Sequence, residues 1–221
     1  MNVIITAAGE GSRWGQHMGV PKHLLPVDGE TLLGRTVRLV RGIAAPDTTI
    51  YVSGPDDPRY RIHSAALFTP QDRTDYRECS MYQWTRWLWS DVGKTVYLYG
   101  DTYYTPEAIA TILGFAPREW HLFARFKHST VTGKPWPEVW AHSFWTEHQV
   151  LEQELMDDVV ARKIPRASIY EMYKLLHGKL LPFNYDQHDY GRLTQIDDWT
   201  EDFDFPKDYD NFIERRKRVG G

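Results

Sequence analysis

Asn2-Val3-Ile4-Ile5-Thr6-Ala7-Ala8-Gly9-Glu10-Gly11-Ser12-Arg13 joins a short apolar run to a loop of small residues. Asn2–Thr6 reads as a buried strand. The small residues at 7, 8, 9, 11 and 12 let the backbone approach a ligand closely, with N–H groups free to meet phosphate oxygens. Pro21-Lys22-His23-Leu24-Leu25-Pro26-Val27 follows and adds a second cation to Arg13. A polyphosphate in this crevice would meet backbone donors, a forked guanidinium and a compact ammonium. Two common phosphate motifs are excluded. The dinucleotide fingerprint requires a glycine where Trp14 stands, and the P-loop requires one at Leu88, ahead of Gly93-Lys94-Thr95.

Outward from this loop, short β-rich runs alternate with helical ones. Thr31–Arg41, Ser80–Trp89, Pro106–Phe115, Glu147–Arg162, Ser168–Leu176 and Pro206–Arg218 read as helices. Thr48–Ser53, Ala65–Thr69, Thr95–Tyr99, Trp120–Phe126, Glu138–Phe144 and Leu193–Asp197 read as strands. This order predicts a three-layer α/β/α, Rossmann-like protein with a mostly parallel sheet. Nothing between the halves reads as a linker, so residues 1–221 are expected to form one domain.

Composition narrows the function classes. The net charge of -4 excludes a generally basic nucleic-acid binder. One cysteine, Cys79, excludes a disulfide framework and fits a reducing cytoplasm. No apolar run approaches the ~20 residues that cross a bilayer, and the N-terminus lacks the charge pattern of a signal peptide. The Arg215-Arg216-Lys217-Arg218 cluster reads as a solvated helix end, where cations complement the dipole. No His-Glu-x-x-His or Gly-x-Ser-x-Gly pattern occurs, and His142 and His148 read as surface or packing residues.

Ala7-Ala8-Gly9-x-Gly11-x-Arg13 followed by Pro21-Lys22 resembles the signature of the sugar-phosphate nucleotidyltransferase superfamily. That group includes cytidylyltransferases and molybdenum-cofactor guanylyltransferase-like proteins, with a nucleotide-diphospho-sugar transferase (GT-A-like) fold. The Ala-Ala-Gly form is more similar to the cytidylyl- and uridylyltransferase branch. The resemblance implies that Ala7, Ala8, Gly9, Gly11 and Ser12 hold a nucleoside triphosphate, CTP or UTP, and that Arg13 and Lys22 stabilise the transferring phosphate. Thr6 and Trp14 depart from the pattern.

Two acidic positions belong with it. Asp101 ends the strand Thr95–Tyr99, where ligands of open α/β sheets bind. Asp after a strand also serves as a turn former or cap. Asp197 ends the strand Leu193–Asp197 before an acidic turn, with Asp198 as the alternative. The resemblance makes Asp101 and Asp197 the holders of Mg2+, a cation that prefers a few carboxylates with phosphate oxygens and water. Glu201, Asp202, Asp204, Asp208 and Asp210 are then mostly a solvated acidic turn.

Ser80 opens the aromatic helix and either caps it or contacts the base or ribose. Trp136, Glu138 and Trp140 alternate and should share one strand face, with Glu138 toward a hydroxyl-rich or cationic acceptor and the indoles on either side. Packing is the other reading of the tryptophans. The expected activity is Mg2+-dependent nucleotidyl transfer from a triphosphate to a small phosphorylated or hydroxyl acceptor, with pyrophosphate released. The partners are small molecules, not nucleic acid or membrane. The alternatives are a metal-dependent glycosyltransferase and a catalytically silent nucleotide-binding protein. Neither explains the Arg13/Lys22 pair as directly.

Overall fold

A computed structural model describes residues 1–9, 11, 13–15, 17–70, 78–162, 168–179 and 189–219, with only the backbone at 78–80. The strands are β1 (Asn2–Thr6), β2 (Pro26–Val27), β3 (Glu30–Thr31), β4 (Thr49–Ser53), β5 (Ala66–Phe68), β6 (Lys94–Tyr99), β7 (Thr102–Tyr103), β8 (His121–Arg125), β9 (Glu138–Trp145), β10 (Leu193–Gln195) and β11 (Glu201–Asp202). The helices are α1 (Leu32–Ile43), α2 (Glu78–Trp84), α3 (Pro106–Gly114), α4 (Gln149–Ala161), α5 (Ile169–Leu176) and α6 (Pro206–Val219).

Seven strands form the central sheet in the order β10-β8-β9-β6-β1-β4-β5. Every pairing is parallel except those of β9, which runs against both β6 and β8. Alternation in β1 shows why the fold has three layers. Val3 and Ile5 enter a core shared with α1 and α3, while Ile4 enters a second core with α4 and α5. Both faces of the strand are therefore dry, which requires helices on both sides. The apolar residues of α1 recur along one face, and Thr31 caps its start by accepting from the Gly34 N–H at 3.1 Å. Thr105 and Pro106 start α3 in the same way.

A third core is smaller and lies under α6. Trp14, Leu25, Val27, Leu32, Tyr103, Phe203, Tyr209 and Phe212 form it. It joins the loop after β1 to the β2–β3 hairpin and to the two-residue β7–β11 ladder.

Register aligns the site. Thr6 of β1 pairs with Ser53 of β4 and Tyr99 of β6, so three carboxyl ends finish level. Residues 7, 54 and 100 therefore leave the sheet together. Between β8 and β9 the register slips, with Phe123 opposite Ala141 but Ala124 opposite Val139. Trp140 is the extra residue of this bulge. The Tyr104 hydroxyl donates to the Trp140 carbonyl at 2.6 Å and accepts from the Tyr99 N–H at 2.8 Å. It thus serves two backbone groups at the margin of the ladder.

Candidate active site

The loop after β1 is gripped from both sides. Ala7 N–H donates to the Ser53 carbonyl at 2.7 Å, and Gly100 N–H to the Thr6 carbonyl at 2.8 Å. Ala7 and Ala8 are buried, and Gly9 is exposed with open space around it. Gly11 turns at φ +61° and its carbonyl accepts from Trp14 N–H at 2.8 Å. Trp14 is the loop's anchor. Its indole is buried and donates to the carbonyls of Val20 at 3.0 Å and His17 at 3.2 Å. Ser12 and the Ser80 side chain lie outside the described residues.

Gly100 has no room for a side chain. A β-carbon there would lie 2.8 Å from the Thr6 carbonyl oxygen and 3.0 Å from Ala7 Cβ. This contact sets Asp101 against the loop. Lys22 arrives from the other direction on a single helical turn, Lys22–Leu24, whose His23 and Leu24 are buried. The Lys22 ammonium meets the Asp101 carboxylate directly and lies 3.8 Å from Asp204. Arg13 places both terminal nitrogens on Asp204, each at 2.7 Å, and faces the Phe205 ring. Arg13, Lys22, Asp101 and Asp204 thus form one alternating chain of charge.

The late acidic segment reaches this crevice through the β7–β11 ladder. Asp202 is in register with Thr102, and Phe203 N–H donates to the Asp101 carbonyl at 3.3 Å. Asp202, Phe203 and Asp204 alternate, and the fully buried Phe203 holds the register. The expected pairing of Asp101 with Asp197 is not what the structure brings together. Asp202 and Asp204 stand beside Lys22 and Asp101. The Asp197 carboxylate accepts instead from Ser129 Oγ at 3.0 Å and Thr130 Oγ1 at 2.7 Å. Asp198 is also engaged, with the Thr105 hydroxyl and, at 2.6 Å, the Thr200 N–H.

Charge in the crevice is unevenly balanced. Burial disfavours the Lys22 ammonium, but Asp101, with Asp204 and Asp202 behind it, more than offsets this and holds its pKa above the ordinary value. Burial acts against the Asp101 carboxylate too, yet Lys22 keeps its pKa low. Glu138 and Asp204 go the other way. Burial and the neighbouring Asp202 carboxylate hold both above the usual range. The crevice therefore gathers several carboxylates close together, hard oxygen donors of the kind a divalent cation prefers. Asp101, Asp202 and Asp204 fit that group.

One acidic triad is already bridged. Glu138, Glu201 and Asp202 bring their oxygens within 4.8 Å of one another. The Lys134 ammonium sits among them, 3.0 Å from Glu138, 3.3 Å from Glu201 and in contact with Asp202. Arg125, entirely buried, supports Glu201 from 3.4 Å.

The model of the MobA-like NTP transferase domain matches residues 3–167. The chain belongs to that family. It is a nucleotidyltransferase. No curated protein sequence matches it closely enough to count as a relative. Solved structures share its fold. Rv0371c from Mycobacterium tuberculosis H37Rv has a TM-score of 0.62 at 17% identity, covering 96% of each chain. A manganese complex of Rv0371c gives 0.57 at 16% identity, covering 96% of this chain and 97% of that one. The inositol-1-phosphate CTP transferase from T. maritima has a TM-score of 0.61 at 12% identity, covering 98% and 96%. The CTP:phosphocholine cytidylyltransferase from Streptococcus pneumoniae has 0.55 at 14% identity, covering 96% and 97%.

Trp136, Glu138 and Trp140, expected to form one acceptor wall, are not all brought together by the structure. Glu138 reaches the acidic crevice, and Trp136 is half exposed beside it. Trp140 is removed from that wall. The bulge sends both Trp140 and Ala141 into the α1/α3 core, and the Trp140 indole donates to the Ile196 carbonyl at 3.2 Å. Asp202, Asp204 and Lys134 are the residues that sequence reading passed over. The alternation Asp202-Phe203-Asp204 before Pro206 was a usable signal for the first two. No spacing in the sequence marks Lys134.

Proposed function

We propose that this nucleotidyltransferase moves a nucleoside monophosphate from CTP or UTP to a small phosphorylated or hydroxyl acceptor, with Mg2+, in the cytoplasm. The observation that carries the reading is the alternating chain Arg13, Asp204, Lys22 and Asp101 at the carboxyl ends of β1 and β6. In the reaction an acceptor oxygen bonds to the α-phosphorus as the bond to the bridging oxygen breaks. Pyrophosphate leaves, and a hydroxyl acceptor gives up its proton.

The backbone at Ala7–Gly9 and Gly11 can approach the triphosphate closely. Lys22, kept protonated by its carboxylates, and Arg13 offset charge on the α-phosphate and the departing pyrophosphate. Asp101, Asp202 and Asp204 would hold the metal, which when bound draws phosphate oxygens together and neutralises their charge. The acceptor comes from the side of Trp136, Glu138 and Lys134, since attacking and leaving oxygens lie roughly in line. The manganese complex of Rv0371c supports a divalent ion, and the two CTP-using neighbours support the base.

The test incubates the protein with CTP, UTP, GTP or ATP, Mg2+ and a pool of phosphorylated and hydroxyl acceptors. Acceptor-dependent pyrophosphate release, fastest with CTP or UTP, is expected. Binding without turnover for every combination contradicts the reading.

A further inference from the structure

Three side chains from the last part of the chain converge on one short turn between β8 and β9. The turn closes on itself, with Ser129 N–H donating to the Lys134 carbonyl at 2.9 Å. Ser129 Oγ accepts from Thr132 N–H at 2.9 Å. From outside, Asp197 accepts from Ser129 and from both donors of Thr130, the N–H at 3.1 Å. Glu201 accepts from the Thr132 hydroxyl. Arg215, on the last turns of α6, donates to the Thr132 carbonyl. Gly133 follows with φ +71°, a conformation that favours glycine, and a β-carbon there would have to displace the Arg215 guanidinium.

The residue delivered by this turn is Lys134. Its side chain is only 9% exposed and its ammonium is shared among Glu138, Glu201 and Asp202. A long, rotamer-rich side chain at the tip of a connection stays in one place only if its backbone is fixed. Asp197 holds the turn at Ser129 and Thr130 and Arg215 holds it at Thr132, and their hydrogen bonds to it are separate from the contacts of Lys134 with its carboxylates.

We propose that Asp197 and Arg215 are positioning residues that clamp the Ser129–Lys134 turn and so set Lys134 against Asp202 and Glu138. Asp197 then has a role other than metal binding, and Arg215 is a fastening at the otherwise solvated basic end of α6. The acceptor-side role of Lys134 rests on the function proposed above, whereas its placement by Asp197 and Arg215 does not.

The test labels the full chain with limiting acetic anhydride and reads acetylation at each lysine by peptide mass spectrometry. Lys94 is the control, because its buried ammonium is held elsewhere by the carbonyls of Leu113 and Phe115 at 2.7 and 2.8 Å. Lys134 should be protected in the wild type. In Asp197→Asn and Arg215→Met its labelling should rise about tenfold, the scale of one lost charge-assisted hydrogen bond, with Lys94 unchanged. Arg215→Lys should restore much of the protection. Both side chains belong to exposed residues, so their loss leaves the core intact. Unchanged Lys134 labelling in both variants, or a parallel rise at Lys94, overturns the proposal. Separately, a Lys134→Met protein with full pyrophosphate release removes the acceptor role and leaves the clamp standing.

Discussion

Lys22 and Asp101 are ion-paired across the crevice, each mostly buried. Arg13 and Asp204 repeat the arrangement one step further out. On the proposed function, a metal–triphosphate complex would exchange both sets of partners together, the cations passing to phosphate and the carboxylates to metal.

Lys22→Met should therefore have two opposite effects. Turnover should fall by roughly 10²-fold or more, the size expected for a lost electrostatic stabiliser. Affinity for Mn2+ without nucleotide should rise, because Asp101 loses its competing ammonium. A Mn2+ titration checks this, and equal or weaker metal binding would count against the exchange.

Gly100→Ala should be costly although it adds one methyl group. Its neighbours are the backbone of Thr6 and Ala7, which cannot swing aside. A loss of roughly 1–3 kcal/mol in urea unfolding is expected, as for an overpacked core. Activity should drop as well, since Asp101 is displaced. A fully active and stable variant would show that the β6 end is free to move.

His23 gives a pH dependence of definite sign. Burial lowers its pKa from 6.5 to about 4, and its Nδ1 lies 3.2 Å from the Tyr60 hydroxyl. The unfolded chain therefore binds the proton more readily. The stability that His23 contributes is complete above pH 6.5 and is lost as pH falls toward about 4. The loss is roughly 3 kcal/mol over that window. His23→Gln lacks this contribution, so its unfolding free energy should fall less steeply between these limits. Parallel curves would place the titration elsewhere.

The site half carried by β1 and β6 was legible in the sequence because strand, glycine and charge are adjacent there. Thr6–Arg13, Lys22 and Gly100-Asp101 each sit within a few residues of the strand or turn that positions them. The other half was not. β7 and β11 have two residues each, too short for a periodicity, and their pairing alone brings Asp202 and Asp204 to Asp101. Asp197 reads as a strand end in the sequence, but β10 stops at Gln195. Trp140 follows the alternation of Trp136 and Glu138, but alternation does not say how deep in the sheet a residue lies. Strand direction is likewise unwritten in a short apolar run, so antiparallel β9 within the parallel sheet could not be read.

Asp101, Asp202 and Asp204 are proposed to bind the metal–triphosphate complex. The most direct measurement is Mn2+ affinity in the presence of CTP for Asp101→Asn, Asp204→Asn and Asp197→Asn. The first two should lose tenfold or more, about one charged ligand's worth, while Asp197→Asn keeps wild-type Mn2+ affinity. Loss confined to Asp197→Asn, with Asp204→Asn unaffected, would contradict it.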